Sequence, residues 1–345
     1  MKAKYILLIS LLIVLVSSCE KSLVYTESQF DPRVVVNCVL KPGTQFKVDL
    51  SMSKSILDES DTTIIPAADI KLFEDDQLVV NIPHEAATSW FNFSPQEDKN
   101  YRLEVQAKNK TFISETSIPK PIPILKIDTA YIEVEKTQHY YSWRQIRNLK
   151  LSVSINDPSG EENYYRLLFR QKYYQKNGYG IVSDNQDETY TLIDEYARPL
   201  LNDPVFGEDG YENENPFDLD EIVNSFQIFD DALFDGKSKK IDVTFQYLGT
   251  RNMMSTYGKT YGSEQWPFEG KDTIMNRVDL TIYLQSLSKE AYLYLSSRNA
   301  YNSTNGDEFV EPVPVYTNIE GGGLGVFMGI SQDSCRIEAS RQKFY

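Results

Sequence analysis

Apolar and polar residues alternate with a period of two along several stretches of this chain. In residues 46–52 every second residue is apolar, and residues 101–107 and 149–155 repeat the pattern. Successive side chains of a β-strand point to opposite faces of a sheet, so each stretch is expected to bury one face and expose the other. The same reasoning predicts further strands over residues 69–74, 77–82, 88–93, 111–118, 163–174, 240–248 and 277–287. The pattern therefore predicts an all-β chain with minor helix.

The predicted strands form two groups separated by prolines. Residues 32–118 hold short strands bounded by turn residues such as Asp75-Asp76, which is typical of an immunoglobulin-like β-sandwich. Residues 119–124 contain alternating prolines, which fix φ and remove hydrogen-bond donors, so this segment is expected to be a stiff connector. Residues 125–345 restart the alternation and are predicted to form a second β-sandwich domain with acidic loop insertions.

A few stretches of the second region depart from simple strand alternation. Ser288 can cap a helix over residues 289–301, and residues 218–229 are predicted to form a short helix. The chain is then expected to finish with strands at residues 313–318 and 324–330, on either side of a glycine-rich turn.

The first nineteen residues have a different pattern from the rest of the chain. Two lysines precede an apolar run at residues 5–16, which is too short to span a bilayer as a helix. A charged start, a short apolar middle and small residues before a cleavage site are typical of an export signal. Ser17-Ser18 directly before Cys19 resembles the lipobox of bacterial lipoproteins, whose cysteine carries a diacylglyceride and an acyl chain such as palmitate. Residues 1–18 are thus predicted to be a lipoprotein signal peptide, Cys19 the lipidation site and residues 19–31 a tether.

Charge and cysteine content narrow the partners and the covalent chemistry. The chain has 50 acidic and 35 basic residues, a formal net charge of −15, which repels phosphate backbones, so we expect no nucleic-acid partner. Export permits a disulfide between Cys38 and Cys335. The simpler expectation is a buried thiol at Cys38, in an apolar strand, and an exposed thiol at Cys335, in a polar tail.

The sequence offers no motif for catalysis. It contains two histidines, no G-x-S-x-G elbow, and no cluster of histidine and cysteine that would hold zinc. We therefore expect no catalytic residues, no metal and no cofactor. The acidic segments at residues 177–187 and 201–216 are expected to be solvated loops. An irregular calcium site is the alternative, although no window has the spacing of a calcium-binding loop.

One stretch of the second region carries aromatic side chains among glycines and polar residues. Exposed aromatic rings can stack on sugars or anchor a protein partner. The candidate ligand-binding residues are therefore Tyr257, Tyr261, Trp266 and Phe268. The alternative is that these rings fill the space between two sheets.

Several motifs resemble those of a known family. They are residues 311–319, the glycine-rich residues 322–327, the turn at 230–237 and the helix start at 287–292. In order and spacing they are similar to domain-of-unknown-function family 4249, and the resemblance covers essentially the whole mature chain. It implies a lipid-anchored envelope protein of Bacteroidetes-type bacteria, often encoded beside a TonB-dependent outer-membrane transporter. The resemblance implies no catalytic residues.

These expectations describe a lipid-anchored outer-membrane protein on either the periplasmic or the cell-surface face. It would bind an unidentified ligand without catalysis, as an accessory component for a TonB-dependent transporter. Two other classes stay open: a glycan- or peptide-acting enzyme with a site of scattered acids, and a structural or adhesive surface protein. Co-purification with a transporter would favour the first class, and turnover of a sugar or a peptide would favour the enzyme.

Overall fold

Strands dominate the structure, which confirms the all-β prediction. The computed structural model describes residues 30–55, 58–61, 63–65, 67–85, 90–139, 142–176, 190–207, 224–245, 248, 277–304 and 313–340. The strands before the proline segment are β1 (Val34–Leu40), β2 (Phe46–Lys47), β3 (Asp49–Met52), β4 (Ala68–Glu74), β5 (Gln77–Glu85), β6 (Trp90–Phe91), β7 (Lys99–Ala107) and β8 (Lys110–Ile118).

The remaining elements follow the proline segment, and one α-helix is found among the described residues. In chain order they are β9 (Lys126–His139), β10 (Ser142–Asn156), β11 (Tyr164–Lys176), β12 (Tyr190–Ala197), β13 (Leu200–Leu201), a 3₁₀ helix (Pro204–Phe206), β14 (Ile228–Asp230), β15 (Ser238–Phe245), β16 (Arg277–Leu287), α1 (Lys289–Thr304) and β17 (Leu324–Ser340).

The first hydrophobic core lies between the antiparallel sheet β5-β4-β7-β8 and strands β1, β3 and the start of β17. The alternation that predicted these strands places Tyr101, Leu103 and Val105 in this core. The hairpin β4–β5 turns at Asp75-Asp76, where both residues have positive φ, as a two-residue turn between twisted strands requires. The turn predicted at these aspartates is therefore confirmed.

The second core lies between the sheet β13-β15-β10-β9 and the larger sheet β12-β11-β16-β17. Along β11, the side chains of Tyr165, Leu167 and Phe169 enter this core. Arg166 and Arg170 occupy the alternate positions of the same strand, so they lie on the opposite face of the larger sheet. We call that opposite face the outer face.

Strand β17 belongs to both sandwiches. Its first part pairs in parallel with β1, from Val35↔Leu324 to Leu40↔Gly329, and its second part pairs antiparallel with β16. Phe327 packs in the first core, whereas Ala339 packs in the second. One seven-stranded sheet thus runs through both units.

Helix α1 covers part of the outer face. Ser288 caps its first turn, since its Oγ accepts a hydrogen bond from the Ala291 N–H at 3.2 Å. Ala291 and Leu295 form a third, smaller cluster with sheet residues Leu287 and Ile330. The helix predicted over residues 289–301 is therefore confirmed.

Three predictions for the second half of the chain need correction. Residues 313–318 form no strand, because Asn318 bonds the backbone of β17 with its side chain and the Tyr316 N–H donates to the Ser297 hydroxyl. Within the predicted helix at residues 218–229, the described part is a turn followed by β14. The predicted strand at residues 324–330 continues to Ser340, because its second half pairs with β16.

The proline segment joins the two units without regular structure. Residues 119–125 form neither helix nor strand, and the Ile124 N–H donates to Asp333 Oδ2 at 2.8 Å. The division into domains at residues 32–118 and 125–345 stays a prediction, as does the immunoglobulin-like character of the first sandwich. Among the described residues, no helix has the length and apolar content needed to cross a membrane.

Candidate functional site

The predicted site residues lie outside the described residues. This holds for the lipidation site Cys19 and for the aromatic residues Tyr257, Tyr261, Trp266 and Phe268. These assignments therefore stay predictions. Most of the acidic loop residues are also outside the described part of the chain.

Asp203 is the described member of the acidic loops, and its carboxylate is held by the fold. It is buried, it pairs with Lys239 Nζ at 2.8 Å, and it accepts the N–H groups of Val205 and Asp242, both at 3.2 Å. These contacts cap the 3₁₀ helix and join it to β15. Asp203 therefore has a structural role in the second sandwich.

The two cysteines among the described residues, Cys38 and Cys335, are free thiols. Cys38 lies in β1 and is 2% exposed, and burial raises the pKa of its thiol above the usual range. Cys335 is partly buried in β17, opposite Ile282 of β16. The expected buried thiol at Cys38 is confirmed, whereas the predicted polar tail around Cys335 is a paired strand.

Three carboxylates of the second sandwich lie together at one end of the sheets. Asp157 follows β10, while Asp231 and Asp235 lie in the turn after β14, and ligand oxygens of all three fall within 4.8 Å of one another. We call Asp157, Asp231 and Asp235 the aspartate cluster. Such a set of oxygens could contribute to a cation site, although calcium takes about six to eight oxygen ligands.

Hydrogen bonds within the fold hold the aspartate cluster in place. Asp157 accepts the Tyr165 hydroxyl and, at 2.9 Å, the N–H of Gly236. Asp231 Oδ2 accepts the backbone N–H of Asn163 at 2.9 Å. These bonds fasten the loop after β10 to the turn after β14, which gives the cluster a structural role.

Burial and like charge perturb the aspartate cluster. Burial raises the pKa of the Asp157 carboxyl, and repulsion from Asp231 and Asp235 acts in the same direction. Burial also raises the pKa of the Tyr165 hydroxyl, which donates to Asp157. A cation would relieve this repulsion, and so would a proton on Asp157.

The outer face carries a different arrangement, in which two arginines lie near one phenylalanine ring. The guanidinium carbon of Arg166 lies 5.7 Å from the centre of the Phe226 ring, and that of Arg298 lies 5.6 Å from the same centre. Arg166 belongs to β11 and Arg298 to α1, while Phe226 precedes β14. We call Arg166, Arg298 and Phe226 the arginine pair site.

A tightly bonded turn presents Phe226 to the two arginines. Asn224 bonds both the N–H and the carbonyl oxygen of Ile228, and the Ser225 hydroxyl donates to Asn299 of α1 at 2.8 Å. Gln227 has φ +57°, a left-handed conformation that is uncommon for a residue with a side chain. The turn is thus fixed to both β14 and α1, so the ring position is set by the fold.

Other cations on the outer face are paired with acids. Arg170 donates to Asp194 of β12 through Nη2 at 2.8 Å, and Lys172 pairs with the same carboxylate at 3.0 Å. The hydrogen bond from Arg170 lowers the pKa of Asp194. Further along the sheet, Arg336 pairs with Asp279 at 2.6 Å. Ion pairing is therefore the common state of cations on this face.

Exposed apolar side chains lie at the edge of the outer face. Leu192 and Tyr196 of β12 are 52% and 62% exposed, and Tyr174 of β11 lies directly opposite Leu192. Among the described residues, β12 pairs with β11 alone, so it is an edge strand. We call Tyr174, Leu192 and Tyr196 the edge surface.

Sequence reasoning identified neither the aspartate cluster nor the arginine pair site. The turn at residues 230–237 is visible as a local motif, but strand pairing between β10, β11, β14 and β15 is what brings it to Asp157. Arg166 and Arg298 are far apart in sequence. Arg166 occupies a polar position of an alternating strand and Arg298 lies within the capped helix, so neither residue stands out in the sequence. A local motif for either site is absent from the sequence.

Comparison with known proteins identifies the family. A search of curated proteins finds no match. The model of one family, described as a domain of unknown function, matches residues 20–336. Because this match covers nearly the whole chain, the resemblance predicted from the C-terminal motifs is confirmed, and the chain belongs to the family of the domain of unknown function DUF4249.

Proposed function

We propose that this protein is a lipid-anchored, non-catalytic binding protein of the outer membrane and an accessory component of a TonB-dependent transporter. The observation that carries the proposal is the N-terminal sequence, in which a short apolar run and Ser17-Ser18 precede Cys19. Two or more acyl chains on one cysteine hold a protein stably at a membrane, whereas one chain binds reversibly. Such an anchor would keep an accessory protein beside an integral membrane partner.

The edge surface supports a role in protein binding. Tyr196 and Leu192 are large, exposed and adjacent to an unpaired strand edge of the described sheet. Aromatic residues dominate the energetics of many protein interfaces, and an open strand edge can add a strand from a partner. The edge surface is therefore the place where we expect a transporter to dock.

Two measurements test the proposal. Mass spectrometry of the N-terminal peptide should find a diacylglyceride and an acyl chain on Cys19, and Cys19→Ala should release the protein from the membrane fraction. Mild detergent extraction should co-purify the wild-type protein with a TonB-dependent transporter. An unmodified Cys19 in a soluble chain would refute the anchor.

A matched pair of substitutions tests the docking surface. Leu192→Asp should abolish co-purification with the transporter while leaving the protein in the membrane fraction. Leu233, which is 66% exposed in the turn after β14, offers the control, since Leu233→Asp makes the same chemical change away from the edge surface. Equal retention of the transporter by both variants would remove the edge surface from the proposal.

A further inference from the structure

The arginine pair site is unusual because its two cations have no acidic partner among the described residues. Arg166 donates through Nε to the carbonyl oxygen of Phe226 at 2.8 Å, and its remaining N–H groups make no hydrogen bond to a described residue. Arg298 makes no ion pair with a described residue either, and its side chain is exposed.

Burial gives weight to the lack of an acidic partner for Arg166 in the described part of the chain. Its guanidinium is partly buried, and this burial lowers its pKa. A charge removed from water is normally paired or fully hydrogen-bonded, because its desolvation is costly. Contact with the Phe226 ring offsets part of that cost and orients the guanidinium without neutralising it.

The residue beside Arg166 on the outer face also has unused hydrogen-bonding capacity. Gln285 of β16 lies directly opposite Arg166 of β11 in the strand pairing, and directly opposed side chains are close neighbours. Gln285 is 8% exposed, and its Oε1 has no partner in the part of the chain that the structure describes. Its amide nitrogen donates to Gln332 Oε1, which also accepts from Lys41 Nζ at 2.7 Å. A buried acceptor of this kind usually has a partner.

We propose that the arginine pair site binds a small ligand through a carboxylate or phosphate group. Guanidinium groups present parallel N–H donors that match the oxygens of both anions, and they form stronger hydrogen bonds to charged than to neutral acceptors. The bonded turn at 224–227 fixes the Phe226 ring, and the bond from Arg166 Nε to the Phe226 carbonyl oxygen holds the Arg166 guanidinium beside it. This inference does not depend on the proposed anchor or on the transporter.

The test uses the whole chain and two simple probes. Inorganic phosphate is titrated and followed by the width of its ³¹P resonance, and acetate is titrated in parallel by saturation-transfer NMR. We expect saturable binding of at least one probe to the wild type. Binding of phosphate alone assigns the site to a phosphate group, binding of acetate alone assigns it to a carboxylate, and binding of both leaves the shared oxyanion chemistry as the determinant.

Charge-matched variants locate the binding. Arg166→Gln and Arg298→Gln should each weaken the bound probe by about tenfold or more, because each removes charge-assisted hydrogen bonds. Arg170→Gln is the control, since Arg170 lies on the same strand and face but is already paired with Asp194. Its affinity should stay within about twofold of the wild type.

Three outcomes would overturn the inference. They are no saturable binding of either probe to the folded wild type, equal weakening by Arg170→Gln, and unchanged binding in Arg298→Gln. Arg298 is exposed on α1, so its variant is expected to fold even where Arg166→Gln does not. Circular dichroism melts of each variant separate loss of binding from loss of folding.

Discussion

Neutralising one member of the aspartate cluster should stabilise the protein. Asp235→Asn removes one negative charge whose oxygens lie within 4.8 Å of those of Asp157 and Asp231. At this distance two unit charges repel by about 1 kcal/mol in water and by about 3.5 kcal/mol at an effective dielectric constant of about 20. Asp235 is exposed, so the lower value applies to each of its two neighbours.

The substitution also weakens one hydrogen bond, which sets the net effect. Asp235 Oδ1 accepts the Gly160 N–H at 3.1 Å, and an asparagine oxygen can accept the same bond. A neutral acceptor in place of a charged one costs about 0.5–1 kcal/mol. The expected net gain in the free energy of unfolding at neutral pH is therefore about 1 kcal/mol.

The pH dependence follows from the raised pKa of Asp157. Native Asp157 keeps its proton to a higher pH than the same residue in the unfolded chain, so unfolding releases a proton between the two pKa values. The free energy of unfolding contributed by this group thus falls as pH rises through that interval. Asp235→Asn reduces the repulsion that helps raise the pKa of Asp157. Its advantage over the wild type should grow with increasing pH and disappear on acidification.

Urea denaturation followed by circular dichroism measures this difference. Glu161→Gln is the matched control, because it removes the same charge from an exposed residue outside the cluster. Glu161 lies in the loop after β10. Its effect should stay within about 0.5 kcal/mol. A lower urea midpoint for Asp235→Asn than for both the wild type and Glu161→Gln would refute the repulsion argument. It would mean that the Asp235 carboxylate is stabilising, as it would be beside a bound cation.

Three further predictions concern the strands and the helix. Gly325→Ala should lower the free energy of unfolding by about 2–5 kcal/mol, because Gly325 has φ +103° and an added Cβ would lie 2.1 Å from a carbonyl oxygen of β1. Gly43→Ala, with φ +75° and open space around it, should cost only about 1–2 kcal/mol; equal urea midpoints would contradict the packing argument. Ser288→Ala should cost about 1–2 kcal/mol, measured by thermal melting, because it removes the cap of α1; an unchanged melt would mean that the cap is dispensable. With a maleimide, the native chain should react at Cys335 well before Cys38, and peptide mapping should show both labelled after unfolding; early labelling of Cys38 would contradict its burial.

Local alternation predicted most of the strands because half-buried strands impose it directly. Among the strands that alternation does not predict is β9, an edge strand whose neighbouring residues Tyr131 and Ile132 are both exposed, so the period of two is lost there. The parallel pairing of β1 with β17 joins segments that are far apart in the sequence, and no local pattern encodes such a contact. The same limit applies to the arginine pair site, where Arg166 and Arg298 approach the same Phe226 ring only through the packing of α1 on the sheet.

The sharing of β17 between the two sandwiches has a consequence for biogenesis. During synthesis the chain emerges from its N terminus, so β1 is exposed long before its parallel neighbour, residues 324–329, has been made. The N-terminal core lacks Phe327 and a neighbouring strand until then. Contacts between such distant segments also slow folding. A nascent chain halted before residue 324 should therefore remain protease-sensitive throughout, whereas release of the last strand should protect both halves together.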